Sequence, residues 1–166
     1  MTLVTSAPEL LPEREQDAPL VEALIARAFG PGRFVKTAER LREGNRPLLD
    51  LSFVAWRDGR AVGCVRLWPI RIGETPALLL GPFAVEEEFR GEGLGAALIV
   101  RACEAAASVG HQWMLLVGDA AFFVPLGFGR AAGVTLPGPV DTRRVLLRPL
   151  GKATDVAPTG PVSIPD

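Results

Sequence analysis

The sequence predicts one α/β (α+β) domain: two helices, a three-strand antiparallel meander, a long helix, then short strands in mixed order, giving a mixed, mostly antiparallel sheet flanked by helices. Two observations carry this reading. First, 166 residues at 48% hydrophobic, 22% charged and a mean hydropathy of +0.25 suit one well-cored domain and leave little room for two. Second, apolar residues at helical spacing flank a run of β-formers, and turn residues cut that run into consecutive strands.

Leu20, Val21, Leu24, Ile25 and Ala28 form the stripe of an amphipathic helix over Pro19 to Phe29, stopped by Gly30-Pro31-Gly32. A second short helix is expected over Val35 to Arg42, ended by Gly44. Leu51 to Trp56 begins the strands, and Asp58-Gly59 turns the chain back into Ala61 to Ile72. Gly73-Glu74-Thr75-Pro76 marks the next turn, before a third strand over Ala77 to Val85. Gly93 to Ser108 reads as a helix, with Gly110 at its end. Trp113 to Val117 is a short buried strand, Asp119 to Val124 one or two helical turns, and Thr142 to Leu147 the last strand. Residues 1–150 therefore make the domain. Residues 151–166 contain three prolines and no periodic apolar face, and are expected to be an extended tail.

Lys plus Arg is 18 and Asp plus Glu 19, so a net charge of −1 supplies no global field for nucleic acid or an anionic membrane, and neither is an expected partner. The longest uncharged apolar stretch, Pro76 to Val85, falls short of the roughly 20 residues that span a bilayer. The N-terminus lacks the basic start and apolar core of a secretory signal, so a cytoplasmic location is expected. Cys64, Cys103 and His111 are the only Cys and His residues, too few for a zinc site or a Ser-His-Asp triad, and no metal is expected.

The most informative stretch joins a buried strand to a helix through Glu86-Glu87-Glu88-Phe89-Arg90-Gly91-Glu92-Gly93-Leu94-Gly95-Ala96. Glycines at alternate positions let backbone N–H groups converge on a ligand, and the helix that follows adds its positive end; together they suit a phosphate cradle, with Arg90 at its rim. Residues Gly91 to Ala96 also satisfy the G-x-G-x-x-G/A dinucleotide fingerprint. That reading fits poorly, because the first glycine should follow its strand almost at once, whereas five residues separate Val85 from Gly91.

Arg90-Gly91-Glu92-Gly93-Leu94-Gly95 resembles the Q/R-x-x-G-x-G/A signature of the GNAT N-acetyltransferase superfamily, preceded by a strand ending in Phe-Ala-Val. Leu115 to Phe128 resembles that family's later segment, a strand, a short helix with an aromatic pair and a terminal Leu-Gly-Phe. The resemblance implies a sheet splayed around acetyl-CoA between the strands ending at Val85 and near Val117, with no metal. It implies that the main chain of Phe83, Ala84 and Val85 pairs with the pantetheine amides and that the N–H groups of Arg90, Gly91, Glu92, Gly93, Leu94, Gly95 and Ala96 hold the pyrophosphate. A strand N–H near Val85 would polarise the thioester carbonyl. The acceptor would be a small-molecule or peptide amine, with Arg33 and Phe34 on its expected wall; a homodimer is compatible with the family.

One departure stands out. Many GNAT enzymes place a tyrosine beside the coenzyme A sulfur, whereas the aligned residue here is Phe123 and the chain contains no Tyr. Phe122 and Phe123 read as packing or pantetheine contacts. Asp119 is placed either to accept the amine proton or to cap the short helix. Glu86 to Glu88 read as a solvated loop, from which one carboxylate could relay a proton through water, and Arg66 and Arg71 as surface arginines that could alternatively meet a carboxylated substrate. Two functions stay open: an acyltransferase acting by direct transfer, and a non-catalytic module that binds acyl-CoA.

Overall fold

The computed structural model describes residues 7–30, 32–33, 36–151 and 156–166. In chain order these fold as β1 (Glu9–Pro12), α1 (Ala18–Phe29), β2 (Phe53–Arg57), β3 (Arg60–Ile72), β4 (Thr75–Val85), α2 (Leu94–Ser108), β5 (Trp113–Val117), α3 (Ala120–Phe123), β6 (Gly129–Arg130), β7 (Val134–Thr135), β8 (Val145–Pro149) and β9 (Gly160–Ser163). The antiparallel meander β2-β3-β4 is the frame. Its first turn puts Asp58 at φ 50° and Gly59 at φ 76°, the two left-handed positions for which an Asp-Gly pair is suited. After β4 the chain crosses over through α2 and returns as β5, parallel to β4, with β8 and β6 added antiparallel beyond it.

Alternation along β3 sends successive side chains to opposite faces. On one face Val21, Leu24 and Ile25 of α1 pack on Val54, Cys64 and Ala84. On the other, Leu94, Leu98 and Ile99 of α2 pack on Phe53, Val65 and Leu67. A Cβ at Gly63 would stand 2.9 Å from Leu98 Cδ1, so this glycine lets α2 lie close on the sheet.

Four features differ from expectation. The second helix is a single 3-10 stretch, Thr37–Leu41, because it buries only Thr37 and Leu41 and such a short helix has little stability of its own; Val35 lies outside the described residues. The last strand starts at Val145, since Asp141 accepts from the Arg143 N–H at 3.0 Å and winds Thr142–Arg144 into a 3-10 turn. β1 lacks β-branched residues and owes its form to pairing with β2. Within the C-terminal segment, β9 pairs with the end of β3 and with β7, and buries Val162 against Ile72 and Trp113.

Arg66 is a correction. It is 6% exposed rather than a surface residue, and its guanidinium meets Glu13 at 3.0 and 3.1 Å and Glu22 at 2.6 Å. Its position in β3 points it, like Cys64 and Trp68, to the α1 face, where Glu13, just after β1, and Glu22 of α1 supply the carboxylates.

Candidate active site

The sheet opens between β4 and β5. Their pairing is confined to Leu78 with Met114 and Leu79 with Leu115, although both strands continue beyond it. The register of β3 against β4 shifts between Val65–Phe83 and Leu67–Leu80, so Gly81 and Pro82 together oppose Arg66. This bulge bends β4 away from β5. Gly81 adopts φ 133°, its carbonyl is taken by Trp68 Nε1 at 2.5 Å, and Pro82 has no N–H to offer a neighbouring strand.

Beyond the bulge β4 presents an unpaired edge to the gap. Glu86 N–H donates to Val62 O on β3 at 2.9 Å. Alternation then turns the Ala84 N–H toward β3 as well, and the N–H groups of Phe83 and Val85 toward the gap. The Ala84 methyl is buried beneath α1.

The glycine-rich turn stands at the end of this edge. Gly91 and Gly93 both sit at φ 84° with open space where a Cβ would point, so each is glycine for its backbone conformation and leaves room for an approaching group. The α2 ladder starts with Ala97 N–H to Gly93 O at 3.0 Å, which leaves the N–H groups of the first turn, Leu94 to Ala96, without helical partners. The Leu94 side chain is in the core, so only its main chain is available; Glu92 is exposed. Arg90 folds back, its Nε donating to Val85 O at 3.1 Å, and ties the loop to the strand.

Gly95 has a different role. Its φ is helical, and a Cβ there would lie 2.9 Å from Phe83 Cζ and 3.6 Å from Phe122 Cζ. Gly95→Val is therefore expected to lower stability by about 1–3 kcal/mol through overpacking, read from denaturant midpoints. An unchanged midpoint would mean that the Phe83 ring yields without loss. Phe83 stacks on Phe122 at 5.9 Å, and Phe123 meets Phe122 edge-on at 4.8 Å and Phe128 at 5.7 Å. These rings join β4 to α3 at the gap; Phe122 is 38% exposed and Phe123 buried.

Asp119 follows β5 at the opposite wall. Its Oδ1 accepts from Ala121 N–H at 3.0 Å, so it does cap α3, and it also borders the cavity. Glu86 and Glu88 form surface ion pairs, Glu86 with Arg27 at 2.5 Å and Glu88 with Arg60 at 2.5 Å.

On the α1 side the gap widens into a cavity of about 720 Å³, walled by the 3-10 segment before β2, the β4 bulge, the end of β5 and the loop before β8. Arg33 lines it and is paired with Glu22 at 3.1 Å, whereas Phe34 lies outside the described residues. Sequence reasoning missed Arg40, Arg42, Asp141 and Arg144, which reach the cavity from segments far apart in the chain. It also missed the bulge, for which a Gly-Pro pair inside a strand was a usable signal.

The family profile described as "Acetyltransferase (GNAT) domain" matches residues 49–130. "Uncharacterized N-acetyltransferase YhbS" of Escherichia coli is 32% identical over 119 residues, 70% of this chain and 70% of the relative. "Uncharacterized N-acetyltransferase YjhQ" of Escherichia coli is 30% identical over 123 residues, 72% of this chain and 68% of the relative. The crystal structure of YhbS from Escherichia coli in complex with CoA superposes with a TM-score of 0.83 at 26% identity, covering 99% of this chain and 93% of that one. A GNAT acetyltransferase from Brucella melitensis in complex with acetyl-CoA gives 0.71 at 26% identity, covering 94% of each chain. The signature from Arg90 to Gly95, the sheet parted at the Gly81-Pro82 bulge and these relatives agree: the chain belongs to the GNAT family of N-acetyltransferases.

Proposed function

We propose that the protein transfers an acetyl group from acetyl-CoA directly to an amine, with the reaction in the gap between β4 and β5. The observation that carries this reading is the open edge of β4, where the N–H groups of Phe83 and Val85 face the gap. The glycine turn leads to that edge from one side, and the cavity on the α1 side opens toward it from the other. The gap fits an extended amide-bearing chain lying along β4, and the N–H groups from Gly91 to Ala96 fit a pyrophosphate; Arg90 drops out of this set, because its N–H is already donated to Glu87 O at 3.1 Å. Acetyl-CoA supplies the activated thioester.

The chain's own residues do the rest. A gap-facing N–H, of Val85 or of Phe83 beside the cavity, polarises the thioester carbonyl as negative charge develops on its oxygen. The Asp119 carboxylate takes a proton from the amine, nitrogen attacks the carbonyl carbon, and the carbon–sulfur bond breaks as the amide forms. Phe123 donates no proton, and a thiolate of pKa near 8.5 departs adequately without one. No cysteine is placed to carry an acyl group: Cys64 and Cys103 are buried, and burial pushes the Cys64 thiol up to about 12.

Acetyl-CoA in hundredfold excess over its Kd is expected to stabilise the fold by about 2.7 kcal/mol, with no shift from NADH. Melting curves with each ligand and thiol release across an amine panel test this. A flat response to millimolar acetyl-CoA would overturn the proposal.

A further inference from the structure

The cavity on the α1 side carries more positive charge than its own carboxylates balance. Arg33, Lys36, Arg40, Arg42 and Arg144 line it, against Asp119 and Asp141. Asp141 is matched by the Arg143 guanidinium at 2.9 and 3.1 Å, Arg33 by Glu22 at 3.1 Å and Arg42 by Glu39 at 3.0 Å. Among the described residues, Lys36, Arg40 and Arg144 have no ion-pair partner, and Asp119 is the single lining acid in the same condition. Arg40 donates to the neutral carbonyl of Pro137 at 2.6 Å, and Lys36 stands 5.2 Å from the centre of the Phe29 ring.

Arg42 and Arg33 are the most enclosed of these cations. The Arg42 side chain is 14% exposed, its Nε is buried with no hydrogen-bond partner, and one terminal nitrogen lies 2.8 Å from where a Cβ of Gly81 would stand. The guanidinium thus abuts the bulge at which the sheet parts. Burial holds it below its ordinary pKa despite Glu39. The idle Nε is itself closed to solvent, so it is the cavity-lining edge of the guanidinium, set in a largely apolar wall with one carboxylate, that an anion in the cavity would meet. Leu80, Pro82, Leu116 and Val140 make the rest of the wall apolar. The volume is that of a small-molecule site.

We propose that the acceptor is a small amine with an apolar body and one carboxylate, which the guanidinium-rich wall around Arg42 and Arg144 holds while the amine reaches the gap. This rests on the reading of the gap as the site of acetyl transfer. Arginine suits the task because its planar fork meets a carboxylate through two parallel hydrogen bonds. The same wall repels polycations, so polyamines are poor acceptors.

The test is calorimetric titration of the protein–CoA complex with product-like pairs: N-acetyl-leucine against N-acetyl-leucinamide, and N-acetyl-phenylalanine against its amide. The acids are expected to bind at least about tenfold tighter than the amides. Arg144→Gln should cut that preference to about threefold or less, and so should Arg42→Lys, which keeps the charge and removes the fork. Spermidine should give no heat. Equal affinities for acids and amides, no binding of either pair to a complex that does bind CoA, or a preference that survives both substitutions would each overturn the proposal. Absence of CoA binding is a separate result: it removes the acetyl-transfer reading itself, and this inference with it.

Discussion

Arg66→Ala is expected to lower the unfolding free energy by about 3–5 kcal/mol, the range for breaking a buried ion pair by removing one partner. Glu13 is 1% exposed at its side chain and relies on Arg66 for both of its recorded side-chain hydrogen bonds, so the substitution strands a carboxylate where water does not reach. Glu22 is half exposed and survives the loss in water. Arg66→Lys keeps the charge but not the paired geometry and should fall between. Chemical denaturation of the three proteins measures the series; a variant within 1 kcal/mol of the parent, roughly the value of an exposed pair, would show that Glu13 is hydrated after all.

The same network sets a pH signature. Burial raises the Glu22 carboxyl, but the guanidiniums of Arg66 and Arg33 outweigh it and hold the group below the ordinary carboxylate value. Asp17 is also lowered, by its hydrogen bonds to Arg14 against an opposing effect of burial. A carboxylate whose folded value is depressed contributes stability that is complete above its unfolded pKa and disappears as pH falls through the folded one. Stability should therefore decline below about pH 4, where unfolded Glu and Asp begin to take up protons. Arg66→Ala should decline less steeply there, because it has already lost the main guanidinium acting on Glu22.

Asp119→Asn is expected to leave the melting temperature nearly unchanged and to reduce kcat/KM by about 10²–10⁴-fold, the usual contribution of a positioned base. The two effects separate because Asn caps a helix about as well as Asp, so the hydrogen bond to Ala121 persists, while the amide cannot accept the amine proton. Full activity in Asp119→Asn would take this residue out of the chemistry and leave solvent to deprotonate the amine.

Much of the fold was legible because its signals are local. The α1 stripe, the Asp-Gly turn with both residues at positive φ, and the long apolar run of α2 each depend on a few neighbouring residues. The glycine turn was legible for the same reason: Gly91 and Gly93 hold left-handed angles that the chain itself demands. Gly95 was only half legible, since its spacing belongs to the motif but its need for glycine comes from the Phe83 ring, which only the packing of α2 against β4 brings near.

What the sequence alone determined is thus α1, the meander, α2, β5 and α3 in their order, and the left-handed glycines of the turn before α2, all of which follow from periodicity, propensity and φ. The tertiary structure decided the rest. β1 and β9 exist because an edge of β2 and the end of β3 accept them, not because their residues favour strands. Arg66 is buried because β1 and α1 bring Glu13 and Glu22 to the one face of β3 it can occupy. The cationic cavity wall brings Arg144, from the turn before β8, to Arg40 and Arg42, from the segment before β2, and charges so far apart in the chain carry no local pattern to read. Coulomb interaction depends on distance in space, and that distance exists only once the chain has folded.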